Sequence, residues 1–245
     1  MRQGRLKRWC VTGAFGFLTL PVVAAEPPTG QISGSVRLEG RPPRIAWIDV
    51  EHDQEVCGGQ ARPAQTLVLG ATQTVRDVII YLGAPPQLAP ATPAPVVVDQ
   101  QRCELVPRVQ VARCGATLIL QNSDPLLHVI RLDLLGATNA PAPLLQVAAP
   151  YAGFERRFAL PDFRAPALLR AGGGNGHEWM TAYIAVLPHP WGTLTDAGGR
   201  FALRSVPPGQ YKLYAWHEVL GTLARDVAVS ANHTTVADLT YRRTE

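Results

Sequence analysis

The chain has 245 residues, with 23 Lys+Arg against 19 Asp+Glu and a formal net charge of +4. Four of the basic residues, Arg2, Arg5, Lys7 and Arg8, fall in a first segment that holds no acidic residue; beyond position 25 the charges balance at 19 and 19. A basic face for nucleic acid or anionic lipid is therefore not expected. The remaining 220 residues suffice for one large β domain or two small ones.

Residues 1–25 read as a signal peptide: a positive start, an apolar core over residues 9–23 and the small-residue exit Val23-Ala24-Ala25. A retained membrane anchor would need roughly 18 to 20 apolar residues, and this core offers about 15 with Pro21 near its end. Cys10 follows Lys7, Arg8 and Trp9, which do not suit lipoprotein processing, so it is expected to leave with the leader. The expected location is periplasmic or secreted, with no stable membrane span after cleavage. Export favours a disulfide among Cys57, Cys103 and Cys114. Three pairings are open, with Cys57–Cys103 preferred, and three buried free thiols are the alternative.

Along the rest of the chain, short runs rich in Val, Ile, Leu, Thr and Tyr recur between Gly, Pro and Asp, and no window keeps a helical period. That pattern predicts an all-β sandwich or barrel. Strands are expected over residues 32–38, 75–82, 109–112, 117–121, 129–132, 156–160, 167–170 and 181–187. Four more are expected over residues 200–203, 211–216, 224–229 and 235–241. Residues 84–95 hold five prolines and read as an extended connection, and residues 137–150 as a long loop.

The run Arg170-Ala171-Gly172-Gly173-Gly174-Asn175-Gly176-His177-Glu178-Trp179-Met180-Thr181 joins two expected strands. It resembles the ligand loop of cupredoxins, C-x-x-H-P-x-M in the amicyanin-like branch. Upstream, Asn122-Ser123-Asp124-Pro125-Leu126-Leu127-His128 resembles the family's Asn-x-Asp segment and first ligand histidine. The resemblance implies copper held by His128, His177 and Met180, with Glu178 a second choice. It also implies a thiolate, since a blue-copper centre needs two imidazoles and a sulfur anion in one trigonal set. The position three before His177 is Gly174, so the copper-binding cysteine is absent and the loop is degenerate. Glu178 replaces the family's proline and Val129 its asparagine. Cys114, at a turn before Gly115, is not expected to substitute. The cofactor is accordingly none, or copper.

Thr195-Asp196-Ala197-Gly198-Gly199-Arg200-Phe201 and Pro207-Pro208-Gly209-Gln210-Tyr211 are similar to a signature of carboxypeptidase regulatory-like, transthyretin-like or starch-binding-like sandwiches. Gly34 to Pro43 looks like the first strand of the same family. The resemblances imply a cupredoxin-like Greek-key sandwich, residues 99–188, embedded in a split regulatory-like sandwich, residues 26–98 and 189–245. Together they resemble a bacterial group labelled methylamine-utilisation or plastocyanin-like.

No Gly-x-Ser-x-Gly elbow, His-Glu-x-x-His pair or phosphate loop is present, so the expectation is a protein that is not an enzyme. The leading reading is an exported binding or accessory module whose partner is an envelope protein or polymer. A copper-binding or electron-transfer protein is the alternative. A carbohydrate-binding module is the third reading, for which Trp179, Trp191 and Trp216 would be the aromatic platforms. His189 is read as structural, and His217 and Glu218 as holding the following loop, with Trp216 in the core.

Overall fold

A computed structural model describes residues 28–83, 92–136, 141–174 and 176–243. The expected leader lies outside the described residues, as do Asn175 and part of the proline-rich connection. Among the described residues no helix is long and apolar enough to cross a membrane. The protein is all-β, and among the described residues the longest helix is the single turn Gln54–Cys57.

Two groups of sheets enclose two apolar clusters. In the first group, Gly30–Glu39 pairs antiparallel with Arg200–Val206 and parallel with Thr234–Val236 and Leu239–Arg242. Facing it is the sheet ordered Gly192–Leu194, Ile79–Leu82, Gly209–His217, Gly221–Val229. The alternation along Gly209–His217 shows why: Tyr211, Leu213 and Ala215 are buried while Lys212 is exposed, the period of two that a half-buried strand requires. These residues meet Ile32, Val36, Ile80, Leu82, Phe201 and Tyr241 in one core. The Tyr241 hydroxyl is satisfied there by the carbonyls of Ala215 and Gly221, both at 3.1 Å.

In the second group, the sheet order is Ala142–Ala149, His128–Leu135, Ala167–Gly174, Thr181–Leu187, Val109–Arg113. The opposing sheet runs Phe154–Ala159, Thr117–Asn122, Val96–Gln101, Glu104–Val106. Val98, Leu118, Leu120, Ile130, Leu132, Leu169 and Ile184 fill the space between. Val50 and Cys57 belong to this second cluster, although Leu38 before them belongs to the first and Leu67 after them packs against it. They ride on a small excursion made of the hairpin Trp47–Asp49 with Ala61–Pro63 and the Gln54–Cys57 turn between its arms. The two groups also meet through Ile79, Val109, Ala185 and Leu187, and through a two-pronged ion pair between Arg108 and Glu218.

The strand expected over residues 235–241 is broken into Thr234–Val236 and Leu239–Arg242, and three further expectations change. Residues 142–149, read as loop, form an edge strand against His128–Leu135; an edge tolerates Pro143 because its outward side needs no ladder partner. The strand expected over residues 75–82 is regular only over Ile79–Leu82, because Asp77 takes a left-handed φ of 60° and Val75 is left to an isolated bridge with Leu69. Val96–Gln101 and Glu104–Val106, not expected as strands, form a hairpin that places Cys103.

His189 and His217 are 3% and 4% exposed. Burial pushes both rings down to about 4, for His217 with help from the Arg108 charge. The unfolded chain, titrating near 6.5, takes up these protons first, so stability is full above pH 6.5 and falls as pH drops toward 4. The expected loss is about 2 kcal/mol or less per ring at pH 5. Urea midpoints measured from pH 7.5 to 4.5 check this, and His217→Gln should flatten the decline.

Candidate functional site

The site is built at one end of the second sandwich. His128 opens the strand His128–Leu135, and Gly174 closes the strand Ala167–Gly174, paired with Val129. The connection to Thr181–Leu187 turns back tightly: Met180 N donates to His177 O at 3.0 Å, and Gly173 N to Met180 O at 2.7 Å. This return carries the His177 ring inward to meet His128 edge to face, with centroids 4.8 Å apart. The two imidazoles are 1% and 2% exposed.

Asp124 sets the His128 ring. Its Oδ2 lies 2.9 Å from His128 Nε2, and both groups are buried. A buried carboxylate beside an imidazole nitrogen selects the tautomer with the proton on that nitrogen. His128 Nδ1 then carries the lone pair, and it has no hydrogen-bond partner among the described residues. A buried lone pair with no donor facing it, on a ring oriented by a carboxylate, is the arrangement that metal-ligating histidines adopt.

The same carboxylate also holds a turn. Asp124 Oδ1 accepts Arg102 N–H at 2.6 Å and Oδ2 accepts Cys103 N–H at 2.8 Å. Arg102 and Cys103 are the two central residues of the hairpin between Val96–Gln101 and Glu104–Val106, with φ of 51° and 56°. Such a turn normally takes Asn-Gly, since left-handed backbone costs other residues about 1 kcal/mol or more each. The carboxylate offsets that cost and thereby sets where the Cys103 side chain sits.

Cys103 is bonded to Cys57, and both are fully buried. The sulfurs of Cys57 and Cys103 and a ring nitrogen of His177 all lie within 4.8 Å of one another. The same holds for Cys103 sulfur, an Asp124 oxygen and a ring nitrogen of His128. Cys103 sulfur is thus the atom common to both histidines. Around it, Arg62 donates to the carbonyls of Cys57, Arg102 and Cys103 at 3.3, 3.1 and 2.7 Å. Trp179 Nε1 donates to Cys103 O at 3.0 Å, while its ring stands 5.1 Å from that of His177. Asp53 Oδ2 approaches His177 Nε2 at 3.3 Å. An open cleft of about 320 Å³ is lined by Arg62, Cys103, Trp179 and Met180 on one side of this cluster.

Of the residues singled out from the sequence, His128 and His177 are brought together, and Met180 is buried in the adjoining core. Glu178 is exposed, and its carboxylate accepts the Gly176 N–H at 3.2 Å instead of turning to the rings. Cys114 is half-buried and its Sγ donates to Phe163 O at 3.3 Å. Gly174 does not face the cluster: a Cβ there meets only Val129 atoms at 3.9 Å. Gly173 does, but a Cβ there collides with the His177 carbonyl and sits 2.9 Å from Met180 Cβ. The contributions of Cys57, Cys103, Asp53, Asp124 and Arg62 were not legible from the loop motif. The upstream Asn-x-Asp segment pointed to Asp124, and the preferred pairing of Cys57 with Cys103 pointed to the two cysteines.

The family model described as polysaccharide lyase family 4, domain II matches residues 191–237, where the sequence had suggested a regulatory-like sandwich. No curated protein matches the chain. Among solved structures, a copper-containing nitrite reductase from Thermus scotoductus SA-01 is similar at 17% identity and a TM-score of 0.30, over 44% of this chain. This chain spans a quarter, 25%, of that reductase. A purple cupredoxin from Nitrosopumilus maritimus is similar at 12% identity and a TM-score of 0.30, over 38% of this chain and 98% of its own. A reduced copper(I) form of an amicyanin variant gives 12% identity and a TM-score of 0.29, over 44% of this chain and 97% of its own.

Proposed function

We propose that this is an exported, non-catalytic β-sandwich protein of the cell envelope that binds copper(I) through His128 and His177, with Met180 as a weak third ligand. The observation that carries the reading is the buried meeting of the two rings, 4.8 Å between centroids, with the Nδ1 lone pair of His128 unpartnered among the described residues. Desolvating a polar nitrogen without a partner costs about 1–3 kcal/mol, a cost that a bound ion removes. With no sulfur anion at position 174 and the nearby cysteines tied in a disulfide, the donors are imidazole and thioether. That set suits copper(I) storage or delivery better than blue-copper electron transfer. Under this reading the first sandwich, built on Gly30–Glu39, Ile79–Leu82 and the strands from Gly192 to Arg242, is scaffold for the second, which carries the histidines.

The carbohydrate reading would need aromatic platforms open to solvent. Trp191 is buried and donates to Ser205 O at 3.0 Å, Trp179 is committed to His177 and Cys103, and Trp216 packs on Tyr183 at 4.9 Å. None of the three supports it.

The test is anaerobic titration of the oxidised protein with copper(I) against a chromogenic chelator. One equivalent is expected to bind, with affinity falling about 10–100-fold in His128→Ala and in His177→Ala. Met180→Leu should cost less, and Glu178→Ala nothing. Binding indifferent to both histidines, in variants whose near-ultraviolet circular dichroism is native, would end the reading.

A further inference from the structure

The loop lacks its thiolate, yet two sulfurs stand beside its histidines, delivered by other parts of the chain. Cys103 sulfur is within 4.8 Å of a ring nitrogen of His128 and of one of His177, a spread that ligands of one metal ion can close with small side-chain movements. We propose that the Cys57–Cys103 disulfide is a redox gate on this centre: its reduction frees Cys103 as the thiolate of a two-histidine, one-cysteine copper(I) site, with Cys57 as fourth donor. The inference rests on the copper reading above and adds the sulfur that position 174 cannot supply.

The step balances with a dithiol as reductant. A dithiol thiolate attacks the Cys57 sulfur, the S–S bond breaks, and Cys103 leaves as thiolate. The second thiol of the reductant then displaces Cys57 from the mixed disulfide, leaving the reductant oxidised to its own disulfide. Two electrons and two protons have passed to the cysteine pair, and copper(I) binding returns one proton for each thiol that becomes a ligand.

Three features of the structure fit such a gate. Cys57 sits on the excursion of residues 47–63, most of whose residues are exposed or half-buried, so opening it disturbs little of either core. Arg62 grips the carbonyls of both cysteines, and Asp124 grips the Cys103 N–H, so the backbones stay placed when the S–S bond is gone. A cleft lined by Arg62, Cys103, Trp179 and Met180 reaches the Cys103 side of the cluster.

The experiment uses the full mature chain in a Cys114→Ser background, reduced with a phosphine, freed of reductant under anaerobic conditions and titrated with copper(I) against a chelator. The reduced protein should bind about 100-fold or more tightly than the oxidised one, with a new sulfur-to-copper charge-transfer absorption in the ultraviolet. Cys57→Ser should show at least part of that gain without any reductant, because Cys103 can no longer be masked. Cys103→Ser should not show it. Equal affinity before and after reduction, a gain that survives Cys103→Ser, or loss of native near-ultraviolet dichroism on reduction would each overturn the gate. Zinc(II) taking the site in preference to copper(I) would overturn the choice of ion. If oxidised protein binds copper(I) through its histidines and reduction adds nothing, the gate fails while the proposed function stands. If only the reduced protein binds, the gate stands and the oxidised site falls.

Discussion

Asp124→Ala is expected to destabilise the protein by about 3–5 kcal/mol, the largest effect of any single polar substitution in the second sandwich. One carboxylate accepts the Arg102 and Cys103 N–H groups and holds His128 Nε2, at 2.6, 2.8 and 2.9 Å. Its removal leaves buried donors unpaired and takes away what offsets two consecutive left-handed residues. Hydrogen bonds to a charged acceptor contribute about 1.5–3 kcal/mol each, and neighbours sharing one acceptor do not add fully, hence the range. Asp124→Asn keeps an acceptor oxygen and should lose about half as much. Chemical denaturation of both variants measures the difference, and an Asp124→Ala protein within 1 kcal/mol of wild type by order of magnitude would show that the turn holds itself. The same variant should weaken copper(I) binding, since the His128 ring loses the partner that orients it.

The second large effect separates two adjacent glycines. Gly173→Ala should cost about 2–3 kcal/mol, because the new methyl collides with the His177 carbonyl and presses on Met180 Cβ at 2.9 Å. To relieve this the loop must move outward, breaking the 2.7 Å bond from Gly173 N to Met180 O and carrying the His177 ring off His128. Gly174→Ala meets only Val129 at 3.9 Å and should be neutral or slightly stabilising through the unfolded chain. Thermal melts and copper(I) titration of the pair should therefore diverge. Gly174→Cys should stay colourless with copper, since its thiol leaves the strand on the Val129 side; an intense visible band would show that the register at this strand end differs from the one described.

Much of the fold was written into periodicity. The strand at residues 209–217 could be read because Tyr211, Leu213 and Ala215 alternate with polar or half-buried neighbours. The edge strand Ala142–Ala149 could not, because prolines and small residues mask alternation where pairing on one side is enough. Val96–Gln101 followed a proline-rich run and its hairpin turn is Arg-Cys, which carries none of the usual Gly or Asn signal; its left-handed backbone is held from afar by Asp124. His128 and His177 were legible as a pair only through their flanking motifs, and Glu178, beside one of them, faces outward.

By itself the sequence determined the all-β architecture, the two histidines of the candidate centre and the absence of a cysteine in the loop that joins them, because periodicity and short motifs are local properties. Only the tertiary structure decided which sulfur stands beside those histidines. A disulfide across 46 residues, set by a carboxylate that also orients His128 and clamped by Arg62, depends on contacts between segments far apart in the chain, and no local pattern encodes the distance between them.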